Sequence, residues 1–132
     1  GGLAVAYHAA PRYTTDVDVF VRASPENAPR THAALAAFGA PLAGVVAADF
    51  AESGIVYQIG VEPNRIDVIT SIDGVSFEEA WPNRKQLQYG DQPVPVIGLD
   101  DLIRNKAASA TKNPERLQDR IDLEVLRKLT KA

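Results

Sequence analysis

The sequence predicts an α/β or α+β fold, a mixed β-sheet flanked by helices, and three observations carry that expectation. β-Branched residues alternate with others over residues 16–21. Two further apolar runs, Ile55 to Gly60 and Arg65 to Ile69, are separated by Val61-Glu62-Pro63-Asn64, which is turn chemistry for a hairpin. Segments with helical start and stop signals lie before, between and after these strands.

Taken in order, residues 3 to 10 (LAVAYHAA) are alanine-rich and predict a helix stopped by Pro11, because proline disfavours the helical region for the residue before it. Val17, Val19 and Val21 then alternate with Asp16, Asp18 and Phe20, a strand with two different faces that sets both aspartates on one side. Ser24 before Pro25 and Glu26 reads as an N-cap with proline at N1, and Ala28 to Phe38 as a helix closed by Gly39 and covering the sheet. The hairpin over residues 55–69 carries Asp67 in its second strand. FEEAWPN at 77–83 reads as a short helical turn broken by Pro82, and Lys85 to Tyr89 with Val94 to Ile97 as a hairpin around Gly90-Asp91. Asp100 is expected to cap a helix running to about Ala110. Asn113-Pro114 is expected to start a last helix through Leu129, with Leu117, Ile121, Leu123 and Leu126 packing.

The 132 residues match one domain, 1–132, and 45% apolar residues supply a core. A chain without methionine that opens on Gly1-Gly2-Leu3 is expected to lack its natural start. The net charge of −3 argues against a general nucleic-acid coat protein: nucleotide or RNA would be held through a local basic patch and metal ions. With no cysteine, thiolate metal sites, disulfides and cysteine nucleophiles are excluded, which leaves oxygen and histidine ligands. No apolar run approaches the roughly 20 residues that span a bilayer, and no signal pattern opens the chain, so a soluble cytoplasmic protein with no membrane partner is expected.

The chemistry concentrates in Asp16-Val17-Asp18, where side chains at i and i+2 of a strand bring two carboxylates onto one face. A hard divalent cation relieves their repulsion, and Mg²⁺ in phosphoryl-transfer sites is held by one or two carboxylates plus substrate phosphates. The plainer reading is an exposed strand face with two solvated aspartates. Gly1-Gly2 at the mouth of the first helix adds a place where phosphate could approach the backbone. Asp67, between Ile66 and Val68 in a strand expected beside the first, would complete a two-metal clamp, or else simply pair with Arg65. Arg12, Thr14 and Thr15 lead into the carboxylate strand, where a threonine could bond a phosphate or an aspartate. His8 and His32 are expected to be structural or surface residues, and Trp81 a packing residue.

Gly1-Gly2, Asp16-Val17-Asp18 and the distant Asp67 together resemble the signature of the polymerase-beta-like nucleotidyltransferases: a glycine pair, an Asp-x-Asp, and a later carboxylate. The stretch GGLAVAYHAAPRYTTDVDVFV is more specifically similar to small bacterial nucleotidyltransferases of the AbiEii toxin and minimal nucleotidyltransferase groups. Leu102-Ile103-Arg104-Asn105-Lys106 and Gln118-Asp119-Arg120-Ile121-Asp122-Leu123 resemble the lysine and Lys-Asp-x-x-Asp-Leu elements of AbiEii-like proteins. The resemblance implies a polymerase-beta-like core and a Mg²⁺-dependent enzyme that moves an NMP from an NTP to an acceptor hydroxyl. Two Mg²⁺ ions, or Mn²⁺, would sit on the catalytic Asp16, Asp18 and Asp67. Gly1, Gly2, Thr15, Lys106 and Asp119 would bind the nucleotide, Lys106 through its phosphates. It further implies tRNA or another RNA as acceptor ahead of a protein or small molecule, and an antitoxin partner. Three alternatives stay open. One is a non-catalytic nucleotide-binding or interaction module, a second is a metal-dependent phosphohydrolase, and in the third Asp119 and Asp122 are solvated positions paired with Arg116 or Lys112.

Overall fold

The computed structural model describes residues 2–9, 16–61 and 64–130. In chain order the elements are α1 (Gly2–His8), β1 (Val17–Phe20), α2 (Ala28–Phe38), a 3-10 turn (Ala47–Ala51), β2 (Val56–Val61), β3 (Asn64–Ile69), α3 (Phe77–Ala80), a second 3-10 turn (Trp81–Asn83), β4 (Lys85–Tyr89), β5 (Gln92–Val96), α4 (Leu99–Lys112) and α5 (Leu117–Thr130). Helices together with a three-stranded mixed sheet and a two-stranded hairpin make this the expected α+β class. The chain divides into two compact units, one of Thr15–Ile72 and one of Gly1–Thr14 with Asp73–Ala132. No helix of the described residues is long and apolar enough to cross a membrane.

In the Thr15–Ile72 unit the sheet order is β1-β3-β2, so β3 is central, parallel to β1 and antiparallel to β2. Along β3, Ile66 and Val68 lie on one face and Arg65 and Asp67 on the other. Val68 joins Ala28 and Leu35 of α2 and Phe50 of the 3-10 turn in the core of this unit. Phe50 is fully buried, with its ring edge-on to Tyr57 of β2 at 6.0 Å between centroids. The helix therefore covers the sheet as expected, and it ends where Gly39 turns into the left-handed region at φ 93°.

The start of α2 corrects the sequence reading. Asn27, not Ser24, precedes the first helical residue, and the proline of the first turn is Pro29. Ser24 serves a separate turn, its Oγ accepting from the Asn27 N–H at 3.1 Å while its carbonyl accepts from Ala28. A cap-like Ser-Pro-Glu thus closes its own turn before the helix begins.

In the other unit α1, α4 and α5 meet through Val5, Leu102 and Leu126. The β4–β5 hairpin pairs Lys85 with Val96 through Tyr89 with Gln92, as the Gly90-Asp91 turn predicts. Ser76 opens α3 through a reciprocal cap with Glu79, its Oγ accepting from the Glu79 N–H at 3.1 Å and Glu79 Oε1 accepting from the Ser76 N–H at 3.0 Å. Two further expectations are corrected. Helix α4 begins after Gly98, with Asp100 inside its first turn. A Cβ at Gly98 would lie 2.6 Å from the Asn83 carbonyl oxygen, so a close backbone approach sets this helix start. Helix α5 begins at Leu117 rather than Pro114, and Leu117 and Ile121 are exposed while only Leu126 of the proposed packing set is buried.

Candidate active site

Strand register builds the carboxylate face. β1 and β3 run parallel with Asp18 opposite Asp67 and Val17 opposite Ile66, and residues opposed across a parallel pair project to the same side. Asp16 lies one residue before β1, where its Oδ1 accepts the Arg65 backbone N–H at 3.3 Å. Alternation thus turns Ile66 and Val68 one way and Arg65, Asp67 and Asp18 the other. Asp18 is exposed, and Asp16 and Asp67 are half-buried.

Asp67 is also the partner of Arg65, the plainer of the two roles its sequence context allowed. Arg65 Nε donates to Asp67 Oδ1 at 2.8 Å and Nη2 to Oδ2 at 3.2 Å, so a guanidinium fork covers both carboxylate oxygens. Among the described residues no group of three or more His, Asp or Glu side chains is gathered at metal-ligand spacing. The donor chemistry nevertheless suits a hard divalent ion: two carboxylates opposed on neighbouring strands, a third alongside, and oxygen as the sole donor type. Asp16, Asp18 and Asp67 are the residues that would hold it.

Lys106 and Asp119 belong to the other unit and form a buried polar cluster between α4 and α5. Lys106 Nζ lies 3.2 Å from Asp119 Oδ1 and 3.2 Å from Asp122 Oδ2. Ser109, one turn beyond Lys106, donates its hydroxyl to Asp119 Oδ2 at 2.7 Å, and Gln118 Nε2 donates to Asp122 Oδ1 at 2.9 Å. Burial pushes the Asp119 carboxyl up, but the bonds from Ser109 and Lys106 outweigh it and hold the group below the usual carboxylate value. The reading of Asp119 and Asp122 as solvated positions is therefore corrected: they are 3% and 2% exposed. Arg116 does approach Asp119, at 3.6 Å, whereas Lys112 pairs with Asp73.

Gly2 is buried at the start of α1, while Gly1 and Thr15 lie outside the described residues, as do Arg12 and Thr14. His8 Nε2 donates to the Ile97 carbonyl at 2.7 Å and His32 Nε2 to the Val45 carbonyl at 3.1 Å, which gives both histidines structural roles. Trp81 stacks on Phe77 and carries the Arg84 guanidinium 3.9 Å above its ring, the packing role expected of it.

Sequence reasoning passed over Ser109 and gave Arg65 no part beyond pairing. The signals were present in both cases. Arg65 and Asp67 are opposite charges at i and i+2 of one strand, hence on one face. Lys106 and Ser109 repeat at i and i+3 on one helix and Asp119 and Asp122 on the next, which is the spacing of two polar stripes that can meet.

The family model described as nucleotidyl transferase AbiEii toxin, type IV TA system, matches residues 1–131. No relative among curated proteins matches the chain.

Proposed function

This chain belongs to the AbiEii nucleotidyl transferase toxin family, and from that premise we propose that it is a divalent-metal-dependent enzyme moving a nucleoside monophosphate from an NTP to an acceptor hydroxyl. The observation that carries the reading is the register of Asp18 on Asp67 with Asp16 alongside, since carboxylates on neighbouring strands are what a metal–triphosphate complex requires. Asp16, Asp18 and Asp67 hold and orient the ions, two Mg²⁺ or, alternatively, Mn²⁺. When bound, these ions supply activation of the acceptor hydroxyl and charge neutralisation on the phosphates. The acceptor oxygen forms a bond to the α-phosphorus, the α–β bridging bond breaks, pyrophosphate leaves, and the acceptor proton passes to solvent.

In this reading Lys106 is a cation for nucleotide phosphate and Asp119 its positioning partner, and Gly1, Gly2 and Thr15 are further nucleotide-binding candidates. An RNA acceptor, tRNA first, ranks ahead of a protein or small molecule. An antitoxin partner follows from the toxin–antitoxin family. The compartment is the cytoplasm, where NTP and RNA coexist.

One observation favours a rival, a nucleotide-binding module without turnover: Arg65 already covers Asp67. The two readings separate when the protein is incubated with Mg²⁺, each α-labelled NTP and total cellular RNA. Label on RNA from the wild type and none from Asp16→Asn or Asp18→Asn, both folded, is the expected result. Metal-dependent NTP binding without transfer to RNA, protein or small-molecule acceptors would favour the rival.

A further inference from the structure

Arg65 meets Asp16 and Asp67 through different groups. Its backbone N–H reaches Asp16, a bond that survives replacement of the side chain, while its guanidinium forks onto Asp67. The side chains of the pair are 25% and 13% exposed, so water screens their attraction less than it would on an open surface. A fork between residues i and i+2 of a single strand joins nothing distant. Asp67 is already held by ladders on both sides of β3, and Arg65 by its pairing with Gly60 of β2 and its backbone bond to Asp16. The charge it neutralises is therefore the main thing it changes. Without the guanidinium, the Asp67 charge would share its sheet face with Asp18 less well neutralised, a repulsion that a divalent ion also relieves. A guanidinium forked onto both Asp67 oxygens competes with an ion for the same lone pairs, and the two positive charges repel at contact distance.

We propose that Arg65 is a displaceable counter-ion: it holds Asp67 in the metal-free protein, swings off when a divalent cation takes that carboxylate, and so sets the affinity for metal. This rests on the reading of Asp16, Asp18 and Asp67 as metal ligands. As a positioning residue, Arg65 lowers metal affinity by the free energy needed to open its fork.

Mn²⁺ alone, without nucleotide, is titrated into the wild type, Arg65→Gln, Arg65→Lys and Asp67→Asn, with free Mn²⁺ read by electron paramagnetic resonance and folding by circular dichroism. Arg65→Gln tightens Mn²⁺ binding about 10-fold, equivalent to about 1.4 kcal/mol. Arg65→Lys falls between it and the wild type, because an ammonium keeps the charge but not the fork. Asp67→Asn weakens binding. Equal or weaker affinity in Arg65→Gln, with wild-type binding intact and Asp67-dependent, overturns the counter-ion role and leaves the metal site standing. No saturable binding to the wild type or to Arg65→Gln overturns both. Should Arg65→Gln fail to fold, Arg65→Lys gives the same comparison with the same sign, and an unchanged affinity there overturns the proposal.

Discussion

Lys106 holds two buried carboxylates, so its removal costs more than the loss of a side chain. Lys106→Ala removes the buried ammonium that Asp119 and Asp122 share, and about 3–5 kcal/mol of destabilisation is expected in denaturant unfolding. A phosphate role for Lys106 therefore cannot be read from Lys106→Ala alone, since the fold suffers first. Asp119 makes the cluster sensitive to acid. Its folded pKa lies below its unfolded value of about 4, so its contribution is complete above that value and fades as pH falls through the lower folded pKa. Ser109→Ala removes one of the bonds that lower it, so less stability is lost on acidification and the loss is complete at a higher pH; urea midpoints between about pH 2 and pH 6 measure the change. An unchanged acid limb would mean that Ser109 contributes nothing to the carboxylate. None of this cluster was legible as buried. Charged residues at helical spacing read as a solvated face unless the partner is known, and Lys106 precedes Asp119 by 13 positions.

At the scale of elements, α5 shows why apolar periodicity misled. Its buried stripe is Asp119, Asp122 and Leu126, at i, i+3 and i+7, whereas Leu117 and Ile121, one turn apart, are exposed. Counting leucines and isoleucines selects a face that includes the wrong side of the helix, because the true inner face carries two aspartates offset by Lys106. Leu126→Ala should cost about 2–5 kcal/mol and Ile121→Ala no more than about 0.5 kcal/mol, a contrast that thermal melts would read directly. Equal effects would mean that α5 packs through its other face. The strands were more legible. Alternation marked β1 and β3, the Val61–Asn64 segment marked the hairpin, and the resulting faces put Val68 inward and Asp67 outward. The register of Asp18 on Asp67 was not visible, since pairing between distant strands leaves no local mark in either one.

For the whole molecule, a ligand that binds only the folded chain stabilises it. Mn²⁺ at about 100 times its Kd should add about 2.7 kcal/mol to unfolding, an increment that EDTA reverses and Asp18→Asn largely removes. No increment in the wild type would contradict the metal site from the side of stability rather than catalysis. With 17 acidic and 14 basic side chains the chain has no global attraction for phosphate, so on the proposed reading nucleotide would be recruited through ions on the carboxylate face. The parallel β1–β3 pair also has a temporal consequence. Arg65 and Asp16 meet across 49 positions of sequence, while β2 and β3 are near neighbours in sequence that pair from Val61 with Asn64 onward. Loop closure makes the local hairpin the earlier event and the docking of β1 the later one. During synthesis Asp16 and Asp18 emerge long before Asp67, and the ribosome must deliver β3 before the three carboxylates can share a face.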